Sequence, residues 1–99
     1  MRNEILVITI TFNPEIRRLK AQIRQLKKSN VDILIIDNGS RNSSELLKYI
    51  SLSVKLHLLE TNVGIATAQN TGIAYAKERG YRYVLLMDQD REGANKFLI

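Results

Sequence analysis

The sequence contains no cysteine among its 99 residues. Disulfides, thiolate metal sites and cysteine nucleophiles are therefore excluded, and a reducing cytoplasm fits this composition. No apolar run reaches the roughly 18 residues that a membrane-spanning helix needs. The start, residues 1–4, is polar, and the apolar run after it is interrupted by Thr9 and Thr11. We therefore expect neither a transmembrane helix nor a signal peptide.

Motifs of several enzyme classes are also absent after the first apolar run, residues 5–10. No glycine-rich loop follows this run, so neither a dinucleotide-binding fold nor a phosphate-binding loop is supported. No acidic residue follows it directly, which argues against receiver domains and phosphatases of the haloacid type. The chain has no G-x-S-x-G motif and no serine–histidine pairing of the hydrolase kind.

Acidic residues are scarce between residues 15 and 28, where Glu15 is the sole acid beside six basic residues. The whole chain carries a net charge of +5. The cluster is either a solvated helix face or a surface that attracts anionic lipid or another polyanion. We expect no nucleic-acid partner, because no aromatic side chains for base stacking alternate with the basic ones. The six basic residues are Arg17, Arg18, Lys20, Arg24, Lys27 and Lys28.

The apolar pattern predicts one small α/β domain. Hydrophobic residues make up 44% and charged residues 25% of the chain, the balance of a globular protein with a modest core. Short apolar runs alternate with segments in which apolar residues recur at helical spacing. This alternation indicates a mostly parallel sheet covered by helices on both faces. Asn42 and Glu45 resemble a capping box, and Gly80 follows the last helix. The predicted strands are 5–10, 31–36, 54–59 and 83–87, and the predicted helices are 15–28, 42–50 and 65–79.

Polar clusters follow all four predicted strands. Ligands of parallel α/β sheets bind outside the carboxyl ends of the strands, which share one edge. One such cluster is ordinary turn chemistry, but four at one edge favour a binding site. The clusters are Thr11-Phe12-Asn13, Asp37-Asn38-Gly39-Ser40, Glu60-Thr61-Asn62 with Gly64, and Asp88-Gln89-Asp90.

Asp88 and Asp90 are the candidate metal ligands. Two carboxylates one residue apart at a strand end can meet one hard cation, and Mg²⁺ or Mn²⁺ prefers such oxygen ligands. The ion would bridge to a diphosphate and stabilise the charge on a departing nucleoside diphosphate. The alternative is a solvated loop that happens to carry two acids.

The remaining polar candidates each have a structural alternative. Asp37 can accept a hydrogen bond from a ring N–H or a ribose hydroxyl, and Gly39 would let the backbone approach closely. The alternative is a turn that only reverses the chain. Asn62 contacts a ligand or caps the third helix. Asn70 lies one turn into that helix and can face the cleft. Small residues on the same helix, Ala68, Gly72 and Ala76 among them, permit close packing on the sheet.

Four ordered blocks carry a resemblance to a known family. The chain resembles family 2 glycosyltransferases, and it is most similar in pattern to the rhamnosyltransferase-like members. The resemblance covers about residues 5–90. The blocks are Thr9-Ile10-Thr11-Phe12-Asn13-Pro14, Ile36-Asp37-Asn38-Gly39-Ser40, Asn62-Val63-Gly64-Ile65-Ala66 continuing through Ala68-Gln69-Asn70-Thr71-Gly72, and Leu85-Leu86-Met87-Asp88-Gln89-Asp90.

The resemblance implies a GT-A fold, a Rossmann-like three-layer αβα sandwich, of which residues 1–90 would be the donor-binding half. It implies that Thr11 and Asn13 lie beside the base and ribose, and that Asp37 contacts the pyrimidine ring. It places the donor near Asn62, Gly64 and Asn70. It makes Asp88 and Asp90 the metal–diphosphate element, with Asp90 the direct ligand of Mn²⁺ or Mg²⁺.

The resemblance also implies an inverting sugar transfer. The first candidate for the donor would be dTDP-rhamnose, and the second a UDP-sugar. The acceptor would be a polysaccharide or a lipid-linked glycan. We expect a cytoplasmic protein, peripheral at the inner face of the membrane. The alternative is a non-catalytic module that binds a nucleotide sugar or a partner.

The end of the chain departs from the family pattern. Arg91 stands where the family has serine after D-Q-D, and residues 91–99 form an atypical tail. The acceptor half, with the general base that an inverting transfer needs, is not found. We therefore expect a truncated chain that binds the donor without transferring sugar. We also expect self-association through apolar surface that the missing half would cover.

Overall fold

The computed structural model describes residues 3–88 and 94–98. Within this part of the chain, the predicted order of helices and parallel strands is confirmed, with ends that differ by one or two residues. The elements are β1 (Ile5–Thr11), α1 (Ile16–Leu26), β2 (Asp32–Asp37), a 3₁₀ helix (Ser43–Tyr49), β3 (Val54–Leu58), α2 (Ile65–Glu78), β4 (Tyr83–Asp88) and β5 (Ala94–Leu98).

The strands form one sheet in the order β3-β2-β1-β4-β5. The β1–β2, β1–β4 and β2–β3 pairs are parallel, and β5 pairs antiparallel with β4. The central strands β1 and β2 are nearly continuous runs of isoleucine, leucine and valine, and such runs suit strands that are buried on both faces. The chain adds β2 and β3 on one side of β1 and then crosses to place β4 on the other.

Two apolar layers cover the sheet. On one face, Leu19 and Ile23 of α1 and Leu46 of the 3₁₀ helix pack on alternate residues of β1 and β2. On the other face, Ala68 and Ala76 of α2 pack on the intervening residues. The result is the expected three-layer αβα sandwich, because right-handed crossovers place successive helices on opposite faces when the strand order reverses.

The prediction for the second helical segment needs two corrections. The segment is a 3₁₀ helix of seven residues, and its Asn42 makes no side-chain capping bond. The capping box is therefore wrong: the Asn42 side-chain amide donates instead to the carbonyl of Pro14, at 3.0 Å. Asn42 thus ties this segment to the loop after β1, which removes its side chain from the helix end.

The last strand was not foreseen. The backbone of Ala94–Leu98 lies antiparallel along β4, with Met87 opposite Ala94 and Tyr83 opposite Leu98. The segment treated as an atypical tail thus contributes a strand to the sheet. None of the helices within residues 3–88 and 94–98 is both long enough and apolar enough to cross a membrane.

Candidate functional site

The loops after β1, β2 and β3 meet at the carboxyl edge of the sheet. The backbone N–H of Asn38 donates to the carbonyl of Thr11 at 2.7 Å, and that of Leu59 donates to the carbonyl of Asp37 at 2.9 Å. Both bonds continue the parallel ladder past the strand ends. The predicted convergence of these three polar clusters is therefore confirmed at the backbone level.

The carboxylate of Asp37 is the centre of the hydrogen-bonding network at this edge. The residue is 0% exposed. Its Oδ1 accepts hydrogen bonds from the hydroxyls of Thr11, at 2.7 Å, and Ser40, and its Oδ2 accepts from the backbone N–H of Ser40 at 2.9 Å. A buried carboxylate requires such donors, so Asp37 joins β1 to the turn that follows β2.

Asn13 links the loops from the exposed side. It is a non-glycine residue with a positive φ of 46°. Its backbone N–H donates to Ser40 Oγ at 2.7 Å, and its Oδ1 accepts from the N–H of Arg41 at 2.8 Å. Asparagine tolerates this left-handed conformation better than most residues. Ser40 therefore bridges Asn13 and Asp37, a role that the sequence interpretation did not assign to it.

The loop after β3 lies against the turn after β2. The Oδ1 atom of the buried Asn38 accepts a hydrogen bond from the N–H of Val63 at 2.8 Å. A Cβ atom on Gly39 would lie 2.8 Å from the carbonyl carbon of Thr61 and 2.9 Å from the nitrogen of Asn62. The close backbone approach predicted for Gly39 thus occurs, but its partner is the protein's own loop.

Asn62 and Gly64 lead into α2. Asn62 is exposed, and its Oδ1 accepts from the N–H of Gly64 at 2.8 Å. The N-cap position belongs to Gly64, with φ 86° and no side-chain cap, so Asn62 is not the helix cap. Asn70 is exposed on α2, about 7.5 Å along the axis from its first residue at 1.5 Å per residue.

Asp88 ends β4 beside these loops. Its backbone is paired with Ile10, the neighbour of Thr11, and Thr11 in turn is paired with Asp37. Two strand spacings of about 4.8 Å separate the backbones of Asp37 and Asp88 across the sheet. Asp90, the other predicted metal ligand, lies outside the described residues, and so does the geometry of a metal site. Among the residues described, no group of three or more potential ligand side chains is found.

This arrangement defines a class of protein: a doubly wound α/β domain with a polar site at the carboxyl edge. The strand order reverses beside β1 and β4, and ligands of such sheets bind at that position. The profile of the family described as "Glycosyl transferase family 2" matches residues 6–98. The chain belongs to this family.

Two relatives match over most of this chain. The dTDP-rhamnosyl transferase RfbF of Shigella flexneri is 37% identical over 100 residues, which cover 99% of this chain and 33% of RfbF. The uncharacterized protein MJ0544 of Methanocaldococcus jannaschii is 29% identical over 92 residues, which cover 87% of this chain and 40% of that protein. The chain therefore spans a third of the length of RfbF.

Family membership and topology together identify the N-terminal half of the GT-A fold. The resemblance read from the four sequence blocks is confirmed. The family match also continues to residue 98, past the point where the sequence blocks end.

Proposed function

We propose that this chain forms the donor-binding part of an inverting glycosyltransferase, and that its ligand is a nucleoside-diphosphate sugar. The observation that carries the proposal is the joining of three strand-end loops around Asp37, in register with the end of β4. The similarity to a dTDP-rhamnosyl transferase favours dTDP-rhamnose as the donor, followed by a UDP-sugar. The acceptor is a polysaccharide or a lipid-linked glycan, reached at the cytoplasmic side of the membrane.

The start of α2 suits the diphosphate. Its N-cap is a glycine without a side-chain cap, and its first turn contains no acidic residue. The first-turn N–H groups and the positive end of the helix dipole therefore favour an anion. Asn62 and Gly64 stand immediately before this turn, and Asn70 lies further along the same helix, which supports their assignment to the donor.

The nucleoside would lie against the loops after β1 and β2. Asn13 is exposed and can contact it directly. Thr11 and Asp37 are both 0% exposed, so a contact between Asp37 and a pyrimidine N–H requires the surrounding loops to shift and open access to the carboxylate. Its Oδ2 accepts a protein hydrogen bond from the N–H of Ser40, and can accept a second from the ligand.

A divalent metal fits the chemistry of the DQD segment. Asp88 and Asp90 supply the carboxylate oxygens that Mn²⁺ and Mg²⁺ prefer, and in the proposal Asp90 is the direct ligand. When bound, the ion neutralises charge on the diphosphate leaving group. Among this chain's own residues, the α2 start and Asn62 orient the same diphosphate.

Calorimetry with dTDP and with UDP, each with and without Mn²⁺, tests the donor and metal assignments. We expect Mn²⁺ to strengthen nucleotide binding, and Asp90→Ala to weaken the metal-dependent binding at least about tenfold, as loss of a metal-site residue commonly does. Glu78→Ala, at the other end of α2, removes one exposed carboxylate and should leave binding unchanged.

If the nucleotide binds equally well without metal and Asp90→Ala does not change that binding, the metal assignment is refuted and the donor-site assignment still stands. Absence of binding to both nucleotides would refute the donor site itself. Sugar release or transfer in the presence of Mn²⁺ separates an enzyme from the second candidate, a non-catalytic nucleotide-sugar module. For this 99-residue chain we expect binding without transfer, and release of free sugar or formation of a glycosylated acceptor would contradict that expectation.

A further inference from the structure

The charged residues on the outer surface of α1 are all basic. The helix, Ile16–Leu26, contains no acidic residue, and Lys27 and Lys28 follow it directly. Leu19 and Ile23 are buried against the sheet. At 100° per residue, the side opposite them carries Arg17, Arg24 and Lys28. These three side chains are exposed, as are those of Lys20 and Lys27.

This charge distribution destabilises the isolated helix. Lys20 and Arg24 are four residues apart, as are Arg24 and Lys28, and like charges at this spacing repel. Ordinary solvated helices offset such repulsion with acids of the same spacing, but α1 has none. An external anionic surface would relieve the repulsion.

The layer that contains α1 also exposes large apolar side chains. The 3₁₀ helix packs on the same face of the sheet, because its Leu46 belongs to the same core cluster as Leu19. Three neighbouring residues project from this layer: Leu47 is 53% exposed, Ile50 49% and Leu52 98%. Basic and protruding apolar groups in one layer are the combination found at membrane-surface segments.

We propose that the α1–3₁₀ layer, which consists of α1, the 3₁₀ helix and the residues that follow each of them up to Lys28 and Leu52, docks on an anionic lipid bilayer. The basic side chains of α1 contact lipid headgroups, and Leu52, with Leu47 and Ile50, enters the boundary between headgroups and acyl chains. A nucleic acid suits this layer less well, since α1 has no aromatic side chain for base stacking and the exposed leucines would have no apolar partner. The docking needs no nucleotide, so it stands independently of the proposed function.

Vesicle co-sedimentation of the full 99-residue chain tests this docking. The probe is a vesicle of one part phosphatidylglycerol to two parts phosphatidylcholine, compared with pure phosphatidylcholine, without nucleotide. We expect binding to the anionic vesicle alone, weakened by added salt. Each basic residue near the surface contributes about a fivefold factor, so Arg24→Gln/Lys28→Gln should weaken partitioning about 25-fold.

The matched control is Lys77→Gln/Arg79→Gln, which removes the same charge from the end of α2 on the opposite face. We expect it to reduce partitioning by less than about twofold. Leu52→Ser should weaken binding about threefold or more through lost apolar contact. Since Leu52 is 98% exposed, circular dichroism should show an unchanged fold.

Three results would overturn the docking. Equal binding to neutral vesicles would exclude a requirement for anionic lipid. Equal losses of vesicle binding in the α1 and α2 double variants would mean that only the net charge of the protein matters, and not the position of the basic residues. A single-stranded oligonucleotide that competes the protein off the vesicles, together with an unaffected Leu52→Ser variant, would identify a general polyanion surface instead.

Discussion

Gly39 and Gly64 show how the same backbone feature acts differently at single residues. Both have positive φ, 83° and 86°. A Cβ on Gly39 would meet the backbone of Thr61 and Asn62, whereas a Cβ on Gly64 would meet nothing within 4 Å. The first glycine therefore serves both conformation and packing between two loops, whereas the second is required by its backbone conformation and not by packing within the protein.

Alanine at each position should separate these contributions. For Gly64→Ala we expect a loss of about 1–3 kcal/mol in the free energy of unfolding, the cost of backbone strain. For Gly39→Ala the clash with the loop after β3 should add about 1–3 kcal/mol. Urea denaturation of both variants measures the difference directly. Equal losses of unfolding free energy in Gly39→Ala and Gly64→Ala would mean that the loops after β2 and β3 can move apart without an energetic cost.

At the scale of an element, α2 lies close to the sheet because its inner face is built from small residues. Ala68, Gly72 and Ala76 recur every four residues and are buried. A Cβ on Gly72 would lie 2.7 Å from Cγ2 of Ile8 and 3.0 Å from Cδ1 of Ile36. This close packing sets the position of the α2 start beside the strand-end loops, and thus couples helix packing to the site.

Gly72→Val should therefore push α2 away from β1. We expect a loss of about 1–3 kcal/mol from overpacking, despite valine's better helix propensity than glycine. The matched variant Ala74→Val places the same side chain on the exposed side of the helix and should cost at most about 0.7 kcal/mol. Urea midpoints distinguish the two, and a Gly72→Val loss no larger than that of Ala74→Val would contradict the packing account.

At the scale of the whole molecule, apolar side chains are exposed beside the candidate site. Phe12 is 44% exposed, Val63 42% and Ile65 52%, and all three lie in or next to the strand-end loops. Apolar groups gathered at one edge favour association in water. The edge that would receive a ligand is therefore also the edge where we expect copies of the chain to meet.

We expect the molar mass from light scattering to rise with protein concentration. Ile65→Ser should lower this association, because it removes apolar area from the edge. Leu52→Ser, in the α1–3₁₀ layer, should leave it unchanged. A clean monomer at high concentration for the unaltered chain would refute the expectation.

Much of the architecture could be predicted because local patterns agree with one another. The strands β1 and β2 are buried on both faces, which produces continuous apolar runs. The helix α1 is buried on one face, which produces the helical spacing of Leu19 and Ile23. Both patterns can be recognised from sequence periodicity. The prediction of a capping box was wrong because the Asn42 side chain donates to the carbonyl of Pro14, which is 28 positions away in the sequence. The strand Ala94–Leu98 was missed because its place depends on the free edge of β4, which no local pattern shows.

The sequence by itself determined the alternation of strands and helices, the gathering of polar residues at strand ends, and the family. These follow from period and residue type, which are local properties. Only the tertiary structure decided that Asp37 is buried and accepts hydrogen bonds from Thr11 and Ser40, and that Gly39 faces the loop after β3. Such contacts join residues far apart in the chain, and their distances depend on how closely the three layers pack.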